Sequence, residues 1–112
     1  MADCLFCNII AGEIPSKKVY EDEKVYAFLD IDPKAPTHFL VIPKEHIASC
    51  AAITPENSPV IAHIFGVIAK VTAEMGITDF RVVSNCGAGA GQTVFHLHFH
   101  VLAGRDMTWP PG

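Results

Sequence analysis

Three histidines stand at alternate positions of an apolar run near the C-terminus, and no other feature constrains the fold of this chain as strongly. A period of two is typical of a β-strand, so the pattern predicts a strand over residues 94–102. The three imidazoles then share one face of the strand, and the apolar side chains between them lie on the other. The run reads Val94-Phe95-His96-Leu97-His98-Phe99-His100-Val101-Leu102.

The spacing of these histidines separates catalysis from metal binding. An imidazole changes its charge close to neutral pH, so three of them on one strand indicate a reaction site or a metal site rather than a solvated polar face. With a rise of about 3.3 Å per residue, His96 and His100 are roughly 13 Å apart, too far to bind one metal ion together. The spacing favours His98 as the reacting group and leaves an outer histidine for another role.

A glycine-rich segment leads directly into the predicted strand. It reads Asn85-Cys86-Gly87-Ala88-Gly89-Ala90-Gly91-Gln92-Thr93. Glycine permits positive φ and lets backbone amides approach an anion such as a phosphate. The segment is neither a Walker loop nor a dinucleotide-binding fingerprint, because it precedes a strand and lacks Gly-Lys-Ser/Thr. Its position beside the histidines indicates a phosphate-binding loop.

Taken together, these motifs resemble the histidine triad (HIT) superfamily, whose pattern is His-φ-His-φ-His-φ-φ with φ apolar. The resemblance extends through 35–44, 91–94 and the tail Trp109-Pro110-Pro111-Gly112. The tail and Gly-Gln-Thr are more similar to the Hint branch, the purine nucleoside phosphoramidases, than to the Fhit dinucleotide hydrolases. The resemblance implies an α+β, HIT-like fold with an antiparallel sheet of about five strands, one long and one short helix, and a homodimer.

The residue patterns themselves predict the elements of such a fold. A short helix over Cys4–Ala11 ends at Gly12, and a long helix is capped by Ser58, has Pro59 at its first position and ends before Gly76. Strands are predicted at Lys18–Tyr20, Val25–Leu29, Thr37–Pro43, Arg81–Ser84 and Val94–Leu102.

The long helix carries a wide apolar arc. Val60, Val67 and Val71 widen the stripe that helical spacing predicts, which is formed by Ile61, Ile64, Phe65, Ile68, Thr72 and Met75. A wide arc requires burial on more than one side, either by loops or by a second subunit. Because the resemblance implies a dimer, we expect the second subunit.

The resemblance assigns catalytic roles to three histidines. His98 matches the nucleophile that attacks the α-phosphorus, His100 is placed to donate to a phosphate oxygen or the leaving group, and His38 matches the additional active-site histidine. From its sequence position alone, His38 could equally be a structural histidine on a buried strand. The residues expected around the phosphate are Asn85, Gly91, Gln92 and Thr93. Thr93 keeps the hydroxyl of the more usual serine but is stiffer at χ1.

The resemblance also implies a purine site. Asp30 matches the carboxylate that accepts hydrogen bonds from the ribose hydroxyls, and Trp109 matches a tail residue that reaches the other subunit's substrate site. Val94 belongs to the same nucleotide-binding set. The apolar slot for the base consists of Leu5, Phe6, Ile9, Phe28 and Ile31. Periodicity alone would place Leu5, Ile9 and Phe28 in the hydrophobic core.

Cys4 and Cys7 form a Cys-x-x-Cys pair, half of a tetrahedral zinc site. The resemblance supplies the other half: His46 and His96 of this chain match two zinc ligands of those HIT proteins that bind structural zinc. The alternative is a reduced pair facing the core. Cys50 and Cys86 have no evident role and are interpreted as small apolar residues.

The composition limits the classes of function. At 112 residues the chain is expected to form a single HIT domain over 1–112. A net charge of −4 excludes a basic nucleic-acid surface. The N-terminus lacks the features of a signal peptide, and no apolar run approaches a membrane span. We therefore expect a cytoplasmic protein whose four cysteines are thiols or metal ligands.

Three functions remain open at this stage. The leading hypothesis is a hydrolase that cleaves the P–N bond of purine nucleoside 5′-phosphoramidates (AMP- or GMP-amine conjugates) through a covalent nucleotidyl-histidine. The second is a Fhit-like dinucleoside polyphosphate hydrolase. The third is a nucleotide- or zinc-binding interaction protein with vestigial activity.

Overall fold

A five-stranded antiparallel sheet organises the chain, in the strand order β1-β2-β3-β5-β4. The computed structural model describes residues 3–112. Met1 and Ala2 lie outside the described residues; they are the first residues of the predicted domain and of the N-terminal segment that lacks signal-peptide features. The strands are β1 (Lys18–Glu21), β2 (Val25–Leu29), β3 (Thr37–Pro43), β4 (Phe80–Val83) and β5 (Phe99–Ala103). The helices are α1 (Leu5–Ile10) and α2 (Ser58–Glu74). The predicted sheet with one short and one long helix is confirmed.

The strand register brings two of the predicted site histidines together. In the antiparallel β3–β5 ladder, Leu40 lies opposite His100 and His38 lies opposite Leu102. His38 and His100 are therefore diagonal neighbours on one face of the sheet, a relation that long side chains can bridge.

The two faces of the sheet carry separate apolar clusters. Along the histidine segment, Leu97, Phe99 and Val101 belong to the cluster beneath α2, as the alternation predicts. The opposite face packs against α1 through a smaller cluster that consists of Phe6, Ile9, Tyr26, Phe28, Leu40 and Ile42. The site histidines lie on this second face, beside α1.

The predicted strand over 94–102 is wrong at its start, because the ladder begins only at Phe99. Residues before it keep the alternation of side chains, but their backbone groups have other partners. The His96 carbonyl accepts a hydrogen bond from the His98 ring, and the His98 carbonyl accepts one from the Ser84 hydroxyl. These bonds replace the ladder that a regular strand would form.

The long helix differs from prediction in its cap and in its buried face. Asn57, not Ser58, is the N-cap residue, and it makes no side-chain cap bond because its oxygen accepts from the Thr54 N–H. Val67 and Val71 are buried against the sheet of their own chain. The wide arc therefore does not by itself require a second subunit. No helix among residues 3–112 is long and apolar enough to cross a membrane.

Candidate active site and metal centre

The surroundings of His98 determine which of its ring nitrogens carries the proton. Nδ1 lies 2.7 Å from the carbonyl oxygen of His96. A carbonyl oxygen only accepts, so Nδ1 must carry the hydrogen, and Nε2 keeps its lone pair in the neutral ring. The ring is buried, contacts Phe6 edge to face with centroids 5.1 Å apart, and lines a cavity beside α1. The unprotonated nitrogen is the form that a nucleophilic histidine requires.

A second chain of hydrogen bonds orients His38 and His100. The Lys34 N–H donates to Nδ1 of His38 at 3.0 Å, so the proton of neutral His38 must lie on Nε2. That Nε2 is 2.9 Å from Nδ1 of His100 and 3.4 Å from a carboxylate oxygen of Asp30. His38 therefore donates to Nδ1 of His100, whose own proton lies on Nε2.

Burial keeps these two rings neutral. Desolvation, together with the neighbouring His98 and His38 rings, lowers the pKa of His100 to about 4. Desolvation also lowers the pKa of His38, against the opposing charge of Asp30. Near neutral pH both imidazoles are uncharged, and His100 offers an N–H donor rather than a full positive charge.

The cavity in front of His98 has a volume of about 250 Å³. The polar part of its lining consists of His98, His100, Asp30 and Thr93, and the rest of the lining is apolar. The apolar lining consists of Leu5, Phe6, Ile9, Phe28, Ile31, Leu40 and Val94. All but Leu40 were expected at the nucleotide site. The side chain of Ile31 is 99% exposed and lies at the rim.

The glycine-rich loop is built differently from expectation. Gln92 is buried, and its side chain accepts from the Gly87 N–H and donates to the carbonyls of Ala48 and Val94. All of these hydrogen bonds of the Gln92 side-chain amide therefore stabilise the loop. Gly91 has φ of 96°, in the region that favours glycine, and Asn85 lies close against it. Asn85, Gly91 and Gln92 do not line the cavity, whereas Thr93 does.

The four predicted metal ligands lie together, next to the cavity. Their ligand atoms fall within 4.8 Å of one another. Nδ1 of His96 is 3.4 Å from Sγ of Cys4, 3.6 Å from Sγ of Cys7 and 3.2 Å from Nδ1 of His46. A tetrahedron with zinc bonds of about 2.3 Å to sulfur and 2.0–2.1 Å to nitrogen has edges of roughly 3.3–3.8 Å.

The protonation states also fit a metal ion. Nε2 of His96 donates to the Pro43 carbonyl at 2.8 Å, which leaves Nδ1 unprotonated toward the cysteines. Desolvation by burial and the hydrogen bond to Cys4 raise the pKa of the Cys7 thiol to about 11. Without a cation this thiol keeps its proton, and a bound zinc ion would displace it. Two cysteines and two histidines are a typical donor set for structural zinc.

The group formed by Asp30, His38 and His100 also brings three ligand atoms within 4.8 Å of one another. A metal on Nε2 of neutral His38 would require a proton on Nδ1. The Lys34 N–H points at that Nδ1 and excludes the proton. This group is therefore a hydrogen-bond relay, and the two clusters have different chemistry despite similar spacing.

Several contacts could not be anticipated from the sequence. Leu40 follows from the alternation of β3. The roles of Pro43 and Ser84 rest on hydrogen bonds between residues far apart in the chain. The role of Lys34 rests on a bond to His38, four residues later, which depends on the conformation of the bend before β3. Trp109 is largely exposed, 5.9 Å from the Arg81 guanidinium, and does not line the cavity of its own chain.

Known proteins match this chain in sequence and in fold. Residues 3–109 match the family model described as "Scavenger mRNA decapping enzyme C-term binding". An uncharacterised HIT-like protein of Synechocystis sp. is 49% identical over 111 residues, which covers 98% of this chain and 97% of that protein. This chain belongs to the HIT family. The HIT family hydrolase from Legionella pneumophila has a TM-score of 0.95 to it at 46% identity, covering 98% of this chain and 100% of that chain.

A further relative of this HIT family chain is named for zinc binding. The 14 kDa zinc-binding protein of Zea mays is 45% identical over 111 residues, covering 96% of this chain and 87% of that protein. The chain is thus a HIT protein that resembles hydrolases and carries a Cys4/Cys7/His46/His96 group suited to a metal ion.

Proposed function

We propose that this HIT protein hydrolyses the P–N bond of purine nucleoside 5′-phosphoramidates through a covalent nucleotidyl-histidine. The observation that carries the proposal is the His98 ring at the cavity wall, whose Nδ1–H bond to the His96 carbonyl leaves Nε2 free to attack. The proposed compartment is the cytoplasm, where the four free thiols stay reduced.

The first step forms a bond between Nε2 of His98 and the α-phosphorus. The P–N bond breaks, and the departing amine takes up a proton from solvent. A water molecule then attacks the phosphorus, the bond to His98 breaks, and the nucleoside monophosphate leaves. Two displacements at a positioned imidazole replace one difficult displacement by water.

His100 stabilises charge on the phosphoryl group during both steps. Its pKa of about 4 keeps it neutral, and the relay from Lys34 through His38 places its proton on Nε2. A preorganised N–H donor at developing charge lowers the barrier without reorganisation. Thr93, which also lines the cavity, supplies a hydroxyl.

The nucleoside occupies the apolar part of the cavity. Phe6 and Phe28, with ring centroids 5.4 Å apart, form a wall suited to a flat base. Asp30 also lines the cavity, with its carboxylate 3.9 Å from His100, and in this proposal that carboxylate accepts hydrogen bonds from the ribose hydroxyls. In this proposal Asn85, Gly91 and Gln92 act on the phosphate only by shaping the loop before Thr93.

We further propose that Cys4, Cys7, His46 and His96 hold a structural zinc ion. Zinc would supply folding energy here, because four protein ligands leave no open position for substrate. Its ligands join α1, which carries part of the base slot, to the segment before His98.

The proposed assembly is a homodimer, with α2 and the edge strand β4 at the interface. Three apolar side chains on this side are exposed: Phe65 of α2, Met75 directly after α2, and Phe80 of β4. In the sheet of the described chain, β4 pairs only with β5, so one of its edges is open to a second copy. Trp109, exposed on its own chain, reaches toward the partner's substrate site in this proposal.

A comparison of two substrates tests the proposal. An adenosine 5′-phosphoramidate should be turned over much faster than diadenosine triphosphate. The reverse preference would support a dinucleoside polyphosphate hydrolase, an alternative favoured by the decapping-enzyme family model. Turnover of neither substrate, with nucleotide still bound, would support an interaction protein.

The His98→Ala variant tests the nucleophile. It should lose about a thousandfold or more in kcat and should bind nucleotide nearly as well as the parent. Intact-protein mass spectrometry of the quenched parent should detect a nucleotidyl adduct that the variant lacks. His63→Ala, which removes an exposed histidine on α2, is the matched control and should retain activity. Residual His98→Ala activity within about tenfold of the parent would refute the role.

A further inference from the structure

Two cysteines outside the metal centre meet on the surface. Cys50 begins a 3-10 turn over Cys50–Ala52, and Cys86 follows β4 at the start of the glycine-rich loop. Both are free and exposed, so the interpretation of these cysteines as small apolar residues leaves their exposed thiols unexplained.

The contacts of Cys86 are those of an activated thiol. Its Sγ donates to the hydroxyl of Ser49 at 3.5 Å, and Ser49 directly precedes Cys50 in the chain. The Ala51 N–H and the Cys50 thiol lie close enough to Cys86 to lower its pKa. When Cys86 loses its proton, these groups can all donate to the thiolate. The Ser49 hydroxyl, the Ala51 N–H and the Cys50 thiol hold the pKa of Cys86 below its usual range.

We propose that Cys50 and Cys86 form a redox-reactive dithiol, which a peroxide oxidises to an intrachain disulfide. The Cys86 thiolate attacks one oxygen of hydrogen peroxide, the O–O bond breaks, and Cys86 becomes a sulfenic acid as hydroxide leaves. The Cys50 sulfur then attacks the Cys86 sulfur and displaces the second oxygen. The two thiols lose two electrons and two protons, and the peroxide becomes two water molecules.

The location connects this site to the loop before the cavity. Gln92 already joins the loop to the same segment, through its bond to the Ala48 carbonyl. A disulfide would add a covalent link between the two segments. Cys4 and Cys7 are partly buried and face His46 and His96, so peroxide should reach them more slowly.

Mass spectrometry of the full chain, as purified with its metal, tests the proposal. One equivalent of hydrogen peroxide should remove two hydrogens, and peptide mapping should link Cys50 to Cys86. In Cys50→Ser the sulfenic acid on Cys86 should persist and be trapped by dimedone, whereas Cys86→Ser should give little adduct on Cys50. A first disulfide between Cys4 and Cys7, a link only between separate molecules, or equal trapping in both variants would overturn the proposal.

Alkylation provides a second measurement that does not depend on oxidation. Iodoacetamide at neutral pH should modify Cys86 before the other three cysteines. Ser49→Ala, at an exposed position with folding checked by circular dichroism, should slow modification of Cys86 by about threefold or more, because one hydrogen bond to the thiolate is lost. An unchanged rate would refute the role of Ser49, and Cys86 reacting last would refute the dithiol.

Discussion

The neutral state of His100 should make the protein lose stability on mild acidification. The pKa of this ring is lowered from 6.5 to about 4, chiefly by burial and then by the neighbouring His98 and His38. Between these two values the unfolded chain binds a proton at this position and the folded chain does not. Lower pH therefore favours the unfolded state. The loss of unfolding free energy is complete only below the pKa that His100 has in the folded protein.

The magnitude follows from the shift. A lowering of about 2.5 units, from 6.5 to about 4, corresponds to roughly 3.4 kcal/mol at the acid limit, at 1.36 kcal/mol per unit. Between pH 7 and pH 5 the unfolded state gains most of its proton, so about 2 kcal/mol of unfolding free energy should be lost. The His100 side chain is only 20% exposed, so solvent screening reduces this value little.

Urea denaturation at pH 7 and pH 5 measures the effect in the parent and in His100→Asn. Asparagine keeps an acceptor for the Nε2–H of His38 but does not titrate. Between pH 7 and pH 5 the unfolding free energy of the variant should therefore fall by about 2 kcal/mol less than that of the parent. Thr93→Ser, in the same cavity, is the control and should follow the parent. Equal losses in the parent and in His100→Asn would refute the reasoning, because the other histidines are common to both proteins.

Three further predictions concern the substrate, the metal and the assembly. Asp30→Asn should raise KM for the nucleotide by about tenfold, more than it lowers kcat, because a charge-assisted bond to the ribose is lost; a lower kcat with unchanged KM would contradict the ribose assignment. The parent should bind about one zinc per chain, and Cys4→Ser combined with Cys7→Ser should abolish this binding. The double variant should show a lower Tm, with any loss of activity following only from the lower stability. Parent protein prepared without chelator that contains no zinc would exclude the site. Phe65→Asp should convert a dimer into a monomer in light scattering, because a charge would enter the apolar interface. Val67 is unsuitable for this test, because a charge there would disrupt the chain's own core. A parent that is monomeric at micromolar concentration would refute the dimer.

Local patterns in the sequence were sufficient for the elements and for the partition of side chains. The alternation predicts that His96, His98 and His100 lie on one face of the segment and that Leu97 and Phe99 lie on the other. The structure shows these two faces even before Phe99, where the residues form no strand ladder. The two faces persist because extended backbone reverses side-chain direction at every residue, whatever its hydrogen-bond partners. The ends of elements were less predictable, since caps depend on which neighbouring donor the side chain meets.

The chemistry of the site was decided by tertiary structure. The carbonyl of Pro43, which is distant from His96 in the chain, sets the tautomer of His96. The amide of Lys34 is only four residues before His38, but the conformation of the intervening bend decides that this N–H points at the His38 ring. The antiparallel β3–β5 register then joins His38 to His100. The same holds for Cys86, whose hydrogen bond to Ser49, the residue before Cys50, forms only once the chain folds. The sequence determines which residues are histidines and cysteines. Which of their nitrogen and sulfur atoms carry a proton depends on neighbouring groups that only the folded chain brings together.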